Sequence, residues 1–218
     1  MQTQNLVIFG GETYVGQEVA RLGRAIGHQI MVVCQDEPPA PVHPWMAGVH
    51  WLRDDSGPKP AWQNDGPIDA LIYCATTYFD DRSGRLQARN VAGVRRVLQM
   101  MESLQARLVY RSAAPTPLVP SSYLPSTRQA EALLAREAPD HVSLRLPVIY
   151  GPDRPDSVMA AAIAGIAHRF NPGAFALPMR VETAAIALLR AALEPEHQGV
   201  LTAPECAQLG DALFAQMS

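Results

Sequence analysis

Six apolar, β-branched runs recur along the first 150 residues of this 218-residue chain: "NLVIFG" at 5–10, "HQIMVVC" at 28–34, "VHWL" at 49–52, "DALIYCA" at 69–75, "RLVYRS" at 107–112 and "HVSLRLPV" at 141–148. Continuous apolar runs of this kind suit strands covered on both faces, as in parallel sheets. Between the fourth and fifth, Val91, Val94, Val97, Leu98, Met101 and Leu104 fall at helical spacing. Strand, helix and strand in alternation require right-handed crossovers. The predicted fold class is therefore α/β, a doubly wound parallel Rossmann sheet with a small C-terminal substrate lobe.

The connections are uneven. Pro38 to Pro60 carries six prolines and two glycines with little periodicity, so the second-to-third strand connection is predicted as a loop with at most a short helix. After Pro147, "DSVMAAAIAGIAHRF" reads as a helix, "NPGAFALP" as a turn and short strand, and "VETAAIALLRAALE" as another helix. Residues 1–150 thus form the nucleotide-binding core, and residues 151–218 a lobe that completes the same domain over the carboxyl ends of the strands. The apolar face from Val158 to Phe170, with Met159, Ile163 and Ile166, is expected to pack on the domain. The alternative is a pocket lining or a docking face for a partner or a membrane surface.

Composition excludes several function classes. A net charge of −3 with no basic stripe argues against nucleic acid. No apolar run reaches the ~18 residues of a bilayer span, and the N-terminus lacks a signal-peptide pattern, so a cytoplasmic protein is expected. Cys34, Cys74 and Cys206, odd in number and far apart, are expected as buried thiols of a reducing compartment. The six histidines, at 28, 43, 50, 141, 168 and 197, show no metal-ligand spacing, and no metal site is predicted. A G-x-S-x-G elbow and a G-x-x-x-x-G-K-[ST] loop are both missing.

The first strand runs into "GGETYVG", with Gly10, Gly11 and Gly16 ahead of a helix predicted from Tyr14 to Ile26. This is the context of a dinucleotide fingerprint: one glycine for the tight turn, one for close approach to the pyrophosphate, one for helix–strand packing. The N–H groups of the helix start, at Tyr14 and Val15, would face the anion. Thr13 stands at the close-approach position. Its hydroxyl could donate to a phosphate oxygen, or its branched Cβ could crowd the pyrophosphate; a turn without a ligand is the third outcome. Asp36, after Gln35 at the end of the second strand, is placed to accept from an adenosine ribose, and no cation between Gln35 and Pro44 meets a 2′-phosphate. NAD is therefore favoured over NADP. Asp55 is expected near the adenine, and a solvated turn is the competing role for Asp36.

With these elements in place, the chain resembles the extended and atypical short-chain dehydrogenase/reductase family, its epimerase/dehydratase-like branch. The resemblance rests on "GGETYVG", "LIYCATT", "RNVAGVRRVL", "LVYRSAA", "STRQAEALL", "SLRLPVIYGP" and "RVETAAIALLRAAL", and covers nearly the whole chain. It implies a Rossmann sheet binding NAD(P), with Ala75 and Thr76 after the fourth strand and Asn90 on the N-x-x-G helix at the cofactor, and substrate held by the C-terminal part. It also implies a catalytic serine or threonine after the fifth strand and a Tyr-x-x-x-Lys pair. In that set, lysine lowers the tyrosine pKa so that the tyrosine exchanges a proton with a hydroxyl or carbonyl.

That set is damaged here. Ala113 occupies the serine position beside Ser112, and "YLPST" puts Tyr123 at the tyrosine and Thr127 at the lysine. Lys59 is the only lysine in the chain, so no alignment restores the pair. Arg128 is adjacent, but a guanidinium stays charged and directs its donors differently. Arg145 and Tyr150 either contact substrate or build its cleft. The short length and missing lysine are most similar to the atypical members associated with quinone biosynthesis and respiratory complex I.

Three functions follow as expectations. One is a dinucleotide-dependent binding, sensing or assembly protein, with a protein partner or a second copy of the chain. Another is an active oxidoreductase or epimerase on a small carbonyl, quinone-like or nucleotide-sugar substrate, using Tyr123 with Ser112 or Arg128. The third is a structural subunit with an empty nucleotide site.

Overall fold

In the chain order of the computed structural model, β1 (Asn5–Phe9) leads to α1 (Tyr14–Ala25) and β2 (Gln29–Cys34), followed by a 3-10 turn at Pro44–Gly48, β3 (His50–Arg53) and β4 (Ala70–Tyr73). A π-helical turn at Ala88–Ala92 continues as α2 (Gly93–Met101), and then come β5 (Arg107–Ala113), α3 (Tyr123–Glu137) and β6 (Val142–Leu146). The remainder is β7 (Ile149–Tyr150), α4 (Pro155–Phe170), β8 (Met179–Arg180), α5 (Val181–Leu193), β9 (Gly199–Leu201) and α6 (Ala203–Ala215). The structure describes residues 2–35, 37–40, 43–54, 66–77, 86–102, 104–116 and 119–215. Asp36, Asp55 and Lys59 lie outside them.

Seven strands pair in parallel in the order β3-β2-β1-β4-β5-β6-β9, and β7 and β8 form a separate parallel pair. The chain reverses its direction of travel across the sheet between β1 and β4. That reversal opens a crevice beyond the carboxyl ends of those strands, the usual ligand position in open α/β sheets.

Alternate strand residues feed two cores. Leu6, Ile8, Ile72, Val109 and Leu144 pack with Val15 and Val19 of α1 and with Ala184, Ala187 and Leu188 of α5. Val7, Phe9, Leu71, Tyr73 and Tyr110 pack on the other face with Val94, Val97 and Leu98 of α2 and Leu133 and Leu134 of α3. The continuous apolar runs are thus explained by cover on both faces.

The described residues after β6 divide between two roles. Helix α5 covers the central sheet and β9 extends it beside β6, while β7, β8 and α4 form the smaller outlying part. Arg107, at the start of β5, secures the α5–β9 connection: Nε donates to the Ala191 carbonyl at 2.6 Å, Nη1 to that of Pro195 at 3.4 Å, and Nη2 to that of His197.

The expected packing of the Val158–Phe170 face is overturned. Helix α4 turns Ser157, Ala161 and Ala164 inward and leaves Met159 69% and Phe170 84% exposed, with Val158, Ile163 and Ile166 exposed beside them. Small residues let this helix lie close to the domain, and the larger side chains then have no space beneath it. Cys34, Cys74 and Cys206 are all buried and outside disulfides, and burial pushes the Cys74 and Cys206 thiols up to about 12. Among the described residues, no helix is long and apolar enough to cross a membrane.

Leu188 of α5 is fully buried in the larger core. Leu188→Ala is expected to lower unfolding stability by about 3 kcal/mol, read as a shift of the urea midpoint at unchanged m-value.

Candidate functional site

The turn after β1 is fixed by close backbone approach. Gly10 has φ +78°, and a Cβ there would strike the backbone of Ala75 beyond β4. At Gly16, a Cβ would strike the Gly10 carbonyl oxygen, so α1 begins directly against the strand end. Gly11 lies against the Val32 side chain of β2.

Thr13 is the N-cap of α1. Its Oγ1 accepts the Gly16 N–H at 3.1 Å and donates to the Gly10 carbonyl at 2.7 Å, with the Cys74 carbonyl at 3.4 Å. The hydroxyl therefore closes the turn on itself, and its proton is directed to a backbone carbonyl. Capping by a threonine side chain satisfies one of the otherwise orphaned N–H groups of a helix start. The N–H groups of Tyr14 and Val15 have no acceptor within the helix and mark its positive end. Val15's side chain is buried in the core, so only its backbone is available at this end.

A cleft of ≈ 420 Å³ opens at this helix start. Its walls are Glu12 to Val15, then Thr76 and Thr77 after β4, the segment Arg111–Ala114 with Thr116 at the end of β5, Tyr123, Leu146 to Ile149, and Arg154, Asp156 and Ser157 at the start of α4. The structure thus brings Thr13, Tyr14, Val15, Thr76, Ser112 and Tyr123 to one cleft. Glu12 adds a carboxylate to the turn; its Oε1 accepts the Gln35 N–H at 3.3 Å and joins the turn to the end of β2. A second cleft of ≈ 730 Å³, lined by Arg145, Tyr150, His168, Phe175, Leu177 and Arg180 among others, meets the first at Ala114.

Asn90 is fully buried and engaged at every amide atom. Its Oδ1 accepts the Thr77 N–H at 3.0 Å, and its Nδ2 donates to the Thr77 carbonyl at 3.1 Å and to Ser126 Oγ at 2.9 Å. It clamps the strand-end loop to α3. Ala75 is likewise buried, behind Gly10.

Two of the three expected catalytic residues, Ser112 and Arg128, join a hydrogen-bonded network on Glu131. Ser112 is buried and donates to Glu131 Oε1 at 2.5 Å. Arg128 donates to the same oxygen at 2.7 Å, to Ser112 Oγ at 3.2 Å and to the Ala113 carbonyl at 2.8 Å, and Arg145 grips Glu131 through Nε at 3.0 Å and Nη2 at 2.6 Å. Thr127, at the lysine position, is fully buried and donates to the Leu124 carbonyl at 2.9 Å. Tyr123, 3% exposed, packs with Leu86 and Ala113 at the cleft wall. Sequence reasoning missed Glu12, Glu131, Arg111 and Thr116. A charge inside the apolar run "LVYRSA" was the one available signal, and it marks Arg111.

Burial works to raise the Glu131 pKa. The hydrogen bonds from Arg145 and Ser112 and the charges of Arg128 and Arg145 outweigh it and hold the carboxyl below its usual range. A depressed folded pKa gives a stability contribution that is present above the unfolded value and lost as pH falls through the folded one. Glu131→Gln should therefore flatten the acid limb of the stability–pH profile below about pH 4.5. At neutral pH it should cost about 2–3 kcal/mol, at or below the low end for a broken buried pair because both guanidiniums are partly exposed. Urea unfolding across pH measures both.

No protein-family model and no curated protein matches the chain. Solved structures do. A short-chain type dehydrogenase/reductase from Mycobacterium ulcerans superposes with a TM-score of 0.72 at 15% identity, over 99% of this chain and 95% of that one. The Bordetella bronchiseptica enzyme WbmG, solved in complex with NAD, gives 0.68 at 19% identity over 100% and 79%. The UDP-Glc/GlcNAc 4-epimerase of Campylobacter jejuni gives 0.68 at 14% over 94% and 82%. With its parallel sheet, glycine turn and switch-point cleft, the chain shares the Rossmann-like α/β fold of these solved structures.

Proposed function

We propose that the chain binds a nicotinamide dinucleotide in the cleft at the start of α1 and acts as a nucleotide-dependent binding, sensing or assembly protein rather than through Tyr/Lys proton transfer. The observation that carries this reading is the division of the cleft. Its phosphate end keeps the parts an anion needs, while its catalytic positions are committed elsewhere.

At the phosphate end, Gly10 and Gly16 hold backbone where side chains would collide, and Tyr14 and Val15 present helix-start N–H groups. The structure in complex with NAD that shares this fold supports the assignment. At the other end, a tyrosine acid/base needs a cation to depress its pKa. Thr127 supplies none, and Arg128 spends its donors on Glu131, Ser112 and the Ala113 carbonyl. A bound dinucleotide supplies a hydride donor or acceptor; in this reading the two positions that would tune a tyrosine proton, Thr127 and Arg128, are held by the scaffold instead.

A second reading is favoured by one observation: Tyr123 lines the same cleft as the glycine turn. It makes the chain an oxidoreductase or epimerase on a small carbonyl, quinone-like or nucleotide-sugar substrate, with turnover lost in Tyr123→Phe at unchanged cofactor affinity. Activity retained in that variant removes it.

Isothermal titration with NAD, NADH, NADP and NADPH tests the main reading. Saturable heat is expected, stronger for the forms without a 2′-phosphate; no heat from any of the four overturns it. Because the Thr13 hydroxyl is turned into the loop, Thr13→Gly should bind within about threefold of the parent. A gain of about tenfold, or 1.4 kcal/mol, would instead identify Thr13 as a barrier to the pyrophosphate.

A further inference from the structure

Arg111 is a charge set into an otherwise apolar strand. It lies on the β5 face shared with Val109, which packs toward α1 and α5, and at the carboxyl end of the strand, where the cleft begins. Its Nη1 is held by Thr76, at 3.2 Å from Oγ1 and 3.4 Å from the carbonyl. Its Nε is buried without a hydrogen-bond partner, and among the described residues no carboxylate pairs with it.

The other arginines of the two clefts are treated differently. Arg145 pairs with Glu131 at 2.6 Å, Arg154 with Asp156 at 3.3 Å, and Arg180 with Glu182 at 3.1 Å. Of the cleft's own carboxylates, Asp156 is engaged by Arg154, and Glu12 accepts the Gln35 N–H through Oε1 while its Oε2 is buried without a hydrogen bond. A second donor lies in the same wall: Thr116 Oγ1 is buried and has no hydrogen-bond partner. The Tyr14 hydroxyl, also buried without one, lines the same cleft. Buried donors are otherwise almost always satisfied, and a guanidinium fork matches two oxygens of a carboxylate or phosphate.

We propose that the β5 end of the cleft is an oxyanion receptor, in which Arg111, anchored by Thr76 and assisted by Thr116, takes a carboxylate or phosphate group of the ligand. Where that oxyanion belongs to the dinucleotide, the receptor rests on the reading above and compensates for the Gly16 N–H that Thr13 has taken. Where it belongs to a second ligand, the receptor selects an anionic partner molecule bound alongside.

The test compares wild type, Arg111→Met and Arg111→Lys by isothermal titration with three probes: NADH, inorganic pyrophosphate, and malonate added with and without saturating NADH. Far-ultraviolet circular dichroism and melting establish that each variant is folded; if Arg111→Met is not, Arg111→Gln replaces it. A charged hydrogen-bonded contact predicts a fall of about tenfold or more in Arg111→Met for at least one probe, partly restored by lysine.

Pyrophosphate that competes with NADH, with both weakened in the variant, assigns the oxyanion to the dinucleotide. Malonate that binds the NADH-loaded protein, and alone weakens, assigns it to a second ligand. Arg111-dependent pyrophosphate or malonate binding without any NADH heat keeps the receptor and ends the dinucleotide reading. No binding of any probe to wild type, or equal affinities in Arg111→Met for every probe that binds, overturns the receptor. If NADH still binds in that last case, the dinucleotide reading stands alone.

Discussion

The contact on which the site depends is the one between backbone and backbone at Gly10, Gly16 and Ala75. Because α1 starts directly against the end of β1, and Gly10 in turn lies against the residue beyond β4, three elements meet with no side chain between them. That contact fixes where the helix N–H groups point and therefore where a negative charge can be held. Side chains at Gly10 or Gly16 would push α1 outward, and the cleft between the ends of β4 and β5 would lose one wall.

Around this fixed point, polar side chains tie the strand ends to the helices. Asn90 fastens the Thr77 loop to α3 by way of Ser126, and Glu131 fastens α3 to β5 and β6 through Ser112 and Arg145. Both ties are buried and hydrogen-bonded at several atoms, which makes them costly to break and specific in geometry. Ser112 and Arg128 belong to the second of these ties, Thr127 donates to the Leu124 carbonyl, and Tyr123 lines the cleft.

Much of the architecture was legible because burial on both faces leaves a strong trace in sequence. The six apolar runs correspond to β1 through β6, and the proline-rich stretch holds a 3-10 turn as its described helical element. Strand β9 escaped because three residues, Gly199–Leu201, carry too little pattern, and its place depends on pairing with β6 rather than on its own composition. Helix α4 was misread because period alone reports which residues share a face, and cannot report whether the large or the small ones turn inward. In the site, the glycines were readable since each answers a steric demand. The fate of the Thr13 proton was not, since two acceptors, one from the turn itself and one from just beyond β4, compete for it with any ligand. Arg111 was visible as an anomaly, but its role depends on Thr76 beyond the end of the neighbouring strand, 35 residues away in sequence.

The late arrival of α5 gives the chain a particular order of assembly. Its Ala184, Ala187 and Leu188 cover the face made by β1, β4, β5 and β6, yet they follow the last of those strands by some forty residues. Until they are in place, that side of an all-parallel sheet is covered only in part, by α1, and closing it requires contacts that are distant in sequence, which slows folding. During synthesis the nascent sheet would carry a partly open apolar face until α5 leaves the ribosome, and chaperone dependence would concentrate in that interval.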